Sequence, residues 1–144
     1  MRAAALLACS TLAACASSGA VTAPASVPAP VPAPAVYQPP VGSTLVLEGP
    51  IAAAPGYHLV MGDLVATPGM VIPRHSHSGE EFLYVIGGSG TLSVEGQPDL
   101  VLSAGQGVRI APGAVHGGVA GAEGMRAISS WFVANGQPLR TPAP

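Results

Sequence analysis

Beyond residue 18, glycine and proline punctuate this chain so often that no apolar run between them is long enough to make a packed helix. The 144 residues hold nineteen glycines and sixteen prolines. Proline removes a backbone donor and clashes with the preceding helical turn, and glycine costs about 1 kcal/mol against alanine inside a helix. What survives between them is short and rich in β-branched and aromatic residues, the side chains that suit a pleated, half-buried surface. Thr44-Leu45-Val46-Leu47-Glu48 reads as one strand and residues 57–66 as a longer one, with Gly62 inside it marking a bulge. Val71-Ile72, Glu81-Phe82-Leu83-Tyr84-Val85-Ile86, Thr91-Leu92-Ser93-Val94-Glu95, Leu100-Val101-Leu102, Val108-Arg109-Ile110 and residues 127–134 follow. Gly49-Pro50, Thr67-Pro68-Gly69, Gly96-Gln97-Pro98 and residues 105–107 read as turns, and Gly87-Gly88-Ser89-Gly90 as a tight reversal. Many short strands with such spacing predict an all-β sandwich or closed barrel over residues 43–137. Residues 138–144 read as a C-terminal tail.

The first 42 residues have a different character. Met1-Arg2 supplies one positive charge, and residues 3–14 are almost all apolar or small. That is the layout of an export signal, and it is shorter than the ~20 apolar residues a spanning helix needs. Leu12-Ala13-Ala14-Cys15 resembles the lipobox of bacterial lipoproteins. The resemblance implies cleavage after residue 14 and a diacylated Cys15, two acyl chains being enough for stable anchoring. Ala16 follows, which by the same resemblance implies sorting to the outer membrane of a Gram-negative cell, on its periplasmic side. The chain has two cysteines. With Cys9 removed and Cys15 lipidated, none is left for a disulfide. Residues 15–42 then form a tether. Its run Val27-Pro28-Ala29-Pro30-Val31-Pro32-Ala33-Pro34 favours polyproline II, a semi-rigid spacer of about 3.1 Å per residue.

Charge excludes some partners. Only 8% of residues are charged and the net charge is -2. The cations are Arg2, Arg74, Arg109, Arg126 and Arg140, scattered along the chain. No basic stripe points to nucleic acid. Arg74 and Arg109, near the histidines in sequence, are the candidates for an anionic substrate.

The chemistry lies in Gly69-Met70-Val71-Ile72-Pro73-Arg74-His75-Ser76-His77-Ser78-Gly79-Glu80-Glu81. His75, His77 and Glu81 share parity, so an extended backbone would aim all three to one face. Two imidazoles and a carboxylate suit a divalent transition metal ion such as iron, manganese, nickel or zinc. A third nitrogen would come from elsewhere, and His116 is the candidate. His58, mid-strand, reads as a wall histidine or pocket donor, and Leu83 and Val85 as an apolar pocket wall on the face of Glu81. Trp131 reads as core.

These residues, in this order, resemble the cupin family. Its first motif runs Gly, five residues, His-x-His, three or four residues, Glu, six residues, Gly; here these are Gly69, His75, His77, Glu81 and Gly88. Its second runs Gly, five residues, Pro-x-Gly, two residues, His, three residues, Asn. Gly105, Gly113 and His116 match, while Ala111 and Ala120 stand at the proline and asparagine positions. The resemblance implies a double-stranded β-helix, or jelly-roll barrel, holding one divalent ion on His75, His77, Glu81 and His116, with coordination positions left open. It implies a metal-dependent oxidoreductase of dioxygenase type acting on a small molecule. A non-redox lyase or isomerase, and a small-molecule or carbohydrate-binding module, are the other classes the family contains. The apolar wall favours an uncharged or aromatic guest.

The strand 81–86 is apolar on both faces. Its outer face, Phe82, Tyr84 and Ile86, therefore needs a cover. Either a second subunit supplies it, making a homodimer, or the strand 44–47 lies across it.

Overall fold

The computed structural model describes residues 37–144. The export signal, Cys15 and the proline-alanine run lie outside the described residues. Within them there is no helix. Eight strands form in order: β1 (Gly42–Pro50), β2 (Tyr57–Ala66), β3 (Val71–Ser76), β4 (Glu81–Val94), β5 (Leu100–Ser103), β6 (Gly107–Ile110), β7 (His116–Ala134) and β8 (Thr141–Pro142).

Two strands are long, and they build the fold. β4 has 14 residues and β7 has 19. They pair antiparallel with each other along two stretches, Glu81↔Trp131 to Gly88↔Met125 and then Gly90↔Ala120 to Val94↔His116. The first stretch is flanked by β2 on β7, with β1 beyond it, and by β6 on β4. The second is flanked by β3 on β7, with β8 beyond it, and by β5 on β4. Each half of the β4–β7 pair thus carries its own antiparallel sheet. β4 and β7 run through both halves and join them, the arrangement of a jelly roll.

Residues 87–90, expected to reverse the chain, do not. Strands 81–86 and 91–95 never pair; both pair with β7 instead. The ladder slips at Val85/Gly87 and again at Gly88/Gly90, and Gly88 has φ 65°. The slips bend β4 from one sheet into the other without ending it, the usual work of β-bulges. A Cβ on Gly88 would lie 2.1 Å from the Gly124 carbonyl oxygen. The glycines are there because the two long strands cross in contact. The expected bulge at Gly62 is also displaced. The slip lies across the ladder on β1, between Leu45 and Leu47. Gly62 instead makes room for Trp131, whose ring carbons would stand 3.0 and 3.1 Å from an added Cβ.

Two apolar clusters fill the space between the sheets. Val85, Leu92, Leu102, Ile110 and Ala127 form one. Val60, Trp131 and Val133 form the other, with Leu139 packed on it. Leu139 belongs to the stretch expected as a tail. Asn135-Gly136 turns the chain, with Gln137 N–H donating to the Ala134 carbonyl, and β8 then pairs with β3 at His75 and Ser76. β1 does not cover the outer face of β4. It pairs edge-on with β2, and Phe82, Tyr84 and Ile86 are 42%, 50% and 41% exposed.

The β3–β4 connection positions everything that follows, and it depends on one close approach. The Phe132 N–H donates to the Glu80 carbonyl at 3.0 Å. A Cβ on Gly79 would fall 1.4 Å from the Phe132 carbonyl oxygen. Gly79→Ala forces the connection off β7 and should cost about 3 kcal/mol. Gly49→Ala, where nothing lies within 4 Å, should change stability by less than about 0.5 kcal/mol. Urea denaturation of the two variants checks this; equal midpoints would contradict the packing described.

Candidate metal centre

His75, next to last in β3, takes the ladder position opposite His116, the first residue of β7. Backbone pairing alone therefore brings these two imidazoles together, with ring centroids 4.3 Å apart. His77 lies just past the end of β3, where its carbonyl accepts from the Gly113 N–H at 2.8 Å. Glu81 opens β4, after a turn. The three motif residues do not share one extended strand, as parity suggested. The chain turns between His77 and Glu81, and convergence comes from β3, β4 and β7 meeting at one end of the barrel. Gly117 and Gly118 let them meet. A Cβ on either would stand 2.9 Å or 2.6 Å from the carbonyl oxygens of Ile72 and Thr91.

All four side chains are buried, each 6% exposed or less. Their ligating atoms lie within 4.8 Å of one another. Glu81 Oε2 is 3.1 Å from Nε2 of His77 and 3.1 Å from Nε2 of His116. An ion with bonds of about 2.1 Å holds neighbouring ligand atoms at roughly this separation.

The far side of each ring is fixed by the backbone. His75 Nδ1 pairs with the Pro73 carbonyl at 2.8 Å, His116 Nδ1 with the Ala114 carbonyl at 2.9 Å, and His77 Nδ1 with the Leu139 carbonyl. A carbonyl only accepts, so each Nδ1 carries the proton. Each Nε2 is then left to face Glu81. This is the orientation that outer partners impose on metal-binding histidines. Glu81 Oε2 has no hydrogen-bond partner. A buried carboxylate oxygen without a partner is costly, and a cation among the four groups removes that cost. The residues present fit a divalent ion.

The local electrostatics say the same. Burial pushes the Glu81 carboxyl up, but His116 and His77, with Ser129 beside them, outweigh it and hold it well below the usual carboxylate range. Burial lowers His116, and the Glu81 carboxylate more than reverses that, raising it above the ordinary imidazole value. His75, farther from the carboxylate, is pulled by burial down to about 4, with the positive charges of His116 and Arg140 adding to the effect. Positive charge is favoured at His116, beside the carboxylate, whether it is a proton or a metal ion.

The group borders a cavity of about 190 Å³. Leu64, Ile72, Leu83, Leu92, Met125 and Trp131 make its apolar wall. Leu83 lines it as expected. Val85 does not: it is fully buried in the core. Neither does His58, which lies within 3.3 Å of the Glu48 carboxylate and 3.2 Å of Asn135 Oδ1. Arg74 and Arg109 turn away to pair with Glu95 and Glu80.

Two contributors were not legible as such. Trp131 pairs with Glu81 across the β4–β7 ladder, and its indole N–H donates to His77 Nε2 at 3.1 Å. Coordination through that nitrogen replaces this bond and leaves the indole N–H facing the site. The other is the C-terminal stretch. It supplies the carbonyl that holds His77, and Arg140, which lines the cavity. The Asn135-Gly136 pair, a strong turn signal, was the one hint that the chain comes back.

A jelly roll with three histidines and a glutamate gathered inside it defines a cupin. The family model for the cupin domain matches residues 63–131, and the described barrel is a cupin domain. No curated protein matches it. Solved structures do. An uncharacterized conserved protein with a double-stranded beta-helix domain from Klebsiella pneumoniae is 24% identical, with a TM-score of 0.55 over 76% of this chain and 90% of that one. A cupin-like protein from Thermotoga maritima is 26% identical, with a TM-score of 0.53 over 59% and 64%. The DMSP lyase DddQ from Ruegeria pomeroyi is 19% identical, with a TM-score of 0.52 over 62% of this chain. The match spans 44% of that lyase, and 46% of a chain from a structure of the DMSP lyases RdDddP and RnDddQII. The likeness to the lyases is one of fold.

The C-terminal stretch is expected to matter to metal binding rather than to the barrel. Deleting residues 138–144 removes the carbonyl partner of His77 and should weaken zinc binding by about 10–100-fold. The far-ultraviolet circular dichroism of the sheet should persist. Competition titration with a chromogenic chelator measures the affinity; an unchanged value would contradict this role.

Proposed function

We propose that this chain is a metal-dependent enzyme. Its mononuclear divalent centre rests on His75, His77, Glu81 and His116, and it performs dioxygenase-like chemistry on a small organic molecule. The observation that carries the reading is the composition of the cavity. Four buried ligating side chains stand at its wall, and the rest of the lining offers no carboxylate, histidine, lysine or tyrosine. A reaction that needs a separate general base would have to find one here, and none is within reach among the described residues. A bound iron or similar ion with vacant positions supplies binding and redox activation of dioxygen, chemistry that needs no such base.

The chain's own residues do the rest. Backbone carbonyls of Pro73, Ala114 and Leu139 keep the imidazoles turned inward. The apolar wall excludes water and orients the guest. The Trp131 N–H supplies a donor at the edge of the site. A non-redox lyase is the second reading, prompted by the fold likeness to DMSP lyases; the missing base weighs against it.

The wider setting is also proposed here. Cys15 would carry the lipid anchor and residues 15–42 the tether, placing the barrel off the periplasmic face of the outer membrane. The exposed Phe82, Tyr84 and Ile86, with Phe132 stacked edge-on against Phe82 at 5.9 Å, would be the face on which a second subunit packs.

The test needs no substrate. The full chain is loaded anaerobically with iron(II) and exposed to nitric oxide, which binds where dioxygen would. A high-spin iron–nitrosyl signal by electron paramagnetic resonance is expected, at about one iron per chain. Glu81→Ala should lose most of the iron. Iron that loads normally yet gives no nitrosyl signal would contradict the dioxygenase-like reading, and failure to load would contradict the metal site itself.

A further inference from the structure

We propose that Arg140, delivered by the returning C-terminal stretch, is the residue that selects the substrate, and that the cavity takes a small monocarboxylate. The inference deepens the reading of the cavity as a substrate site and rests on it.

The argument begins with the arginines. Four lie among the described residues. Arg74 pairs with Glu95, Arg109 with Glu80, and Arg126 with Asp63 at 2.8 Å. Arg140 pairs with no carboxylate, and it is the arginine that lines the cavity. Its one hydrogen bond runs from an Nη to the Pro73 carbonyl, at 2.8 Å. That oxygen also accepts from His75 Nδ1 at 2.8 Å. One carbonyl thus ties the guanidinium to the imidazole of a metal-ligating histidine. Leu139, packed on the Val60, Trp131 and Val133 cluster, fixes the backbone on one side. On the other, the Ala143 N–H donates to the Arg74 carbonyl at 3.1 Å. The guanidinium is therefore held beside the ligand cluster, not free on a loose end.

A guanidinium offers five donors in a planar fork. One is used on Pro73, and no protein carboxylate takes the rest. Apart from the four ligating groups, the wall it joins is mostly apolar, with the hydroxyls of Ser43, Thr91 and Ser129 as its other polar side chains. A pocket with one cation and an apolar body binds a molecule with one anionic group and an apolar body. The fork geometry fits a carboxylate through two parallel hydrogen bonds. Size sets the other limit. A dry protein cavity of about 150 Å³ takes a benzene ring, so about 190 Å³ takes a single ring or a short branched chain with its carboxylate. This revises the expectation of an uncharged guest, and it replaces Arg74 and Arg109 as the anion-binding residues.

The test compares benzoate with benzamide, which has the same shape and no charge. Calorimetric titrations use the full chain and its Arg140→Gln and Arg140→Lys variants, with metal content measured on each sample. The wild type should bind benzoate at least tenfold more tightly than benzamide. Arg140→Gln should weaken benzoate by about 10–100-fold and leave benzamide within about twofold. Arg140→Lys should fall between, since it keeps the charge and loses the fork. A purely structural role would move both probes together, and that result overturns the proposal. So does equal binding of the two probes by the wild type, or no benzoate binding at millimolar concentration. If benzoate selectivity depends on Arg140 while no sample carries metal, this proposal stands and the metal reading fails. If metal is bound and selectivity is absent, the reverse holds.

Discussion

Three imidazoles anchored by backbone carbonyls, all facing one buried carboxylate, are the constraint on which this structure turns. Each carbonyl fixes a tautomer, and each tautomer leaves an Nε2 directed inward. Without positive charge between them, Glu81 Oε2 is a buried oxygen with no partner. Such a group costs on the order of 1–3 kcal/mol or more, a sizeable share of the stability of a domain this small. With a cation present the same arrangement becomes favourable. The site is therefore built around a charge it does not itself contain, and the surrounding barrel serves to hold the four groups where that charge belongs.

The barrel does so through contacts of backbone on backbone. His75 and His116 meet because they are ladder partners. Glu81 arrives because Gly79 lets the β3–β4 connection touch Phe132. β4 and β7 reach both sheets because glycines at their crossing permit contact that no side chain would allow. The glycine content that first ruled out a helical bundle thus also has a role in function. It lets strands approach closely enough for ligands on three of them to converge.

Much of this was legible in the sequence. The all-β class, most strand positions and the four ligand residues follow from alternation, turn residues and the spacing of His75, His77, Glu81, Gly105, Gly113 and His116. What was not legible depended on pairing between distant strands. Residues 87–90 look like a hairpin turn, and only the common partner β7 shows that they bend a single strand. Trp131 looks like core until its ladder position opposite Glu81 places its N–H on His77. Val85 shares parity with Glu81, yet lies one step deeper and packs in the core. Residues 138–144 carry little periodicity, so nothing local announces that they return to β3. Parity proposed the right ligands for a partly wrong reason, because His77 and Glu81 are separated by a turn.

The central claim is that His75, His77, Glu81 and His116 together grip one ion. X-ray absorption at the zinc edge of the zinc-loaded full chain tests it most directly. The account predicts a shell of about three imidazole nitrogens and one carboxylate oxygen at bonds near ~2.1 Å, with the multiple-scattering pattern of imidazole rings. A shell of oxygens with little imidazole scattering, as zinc held loosely by surface carboxylates would give, would contradict it.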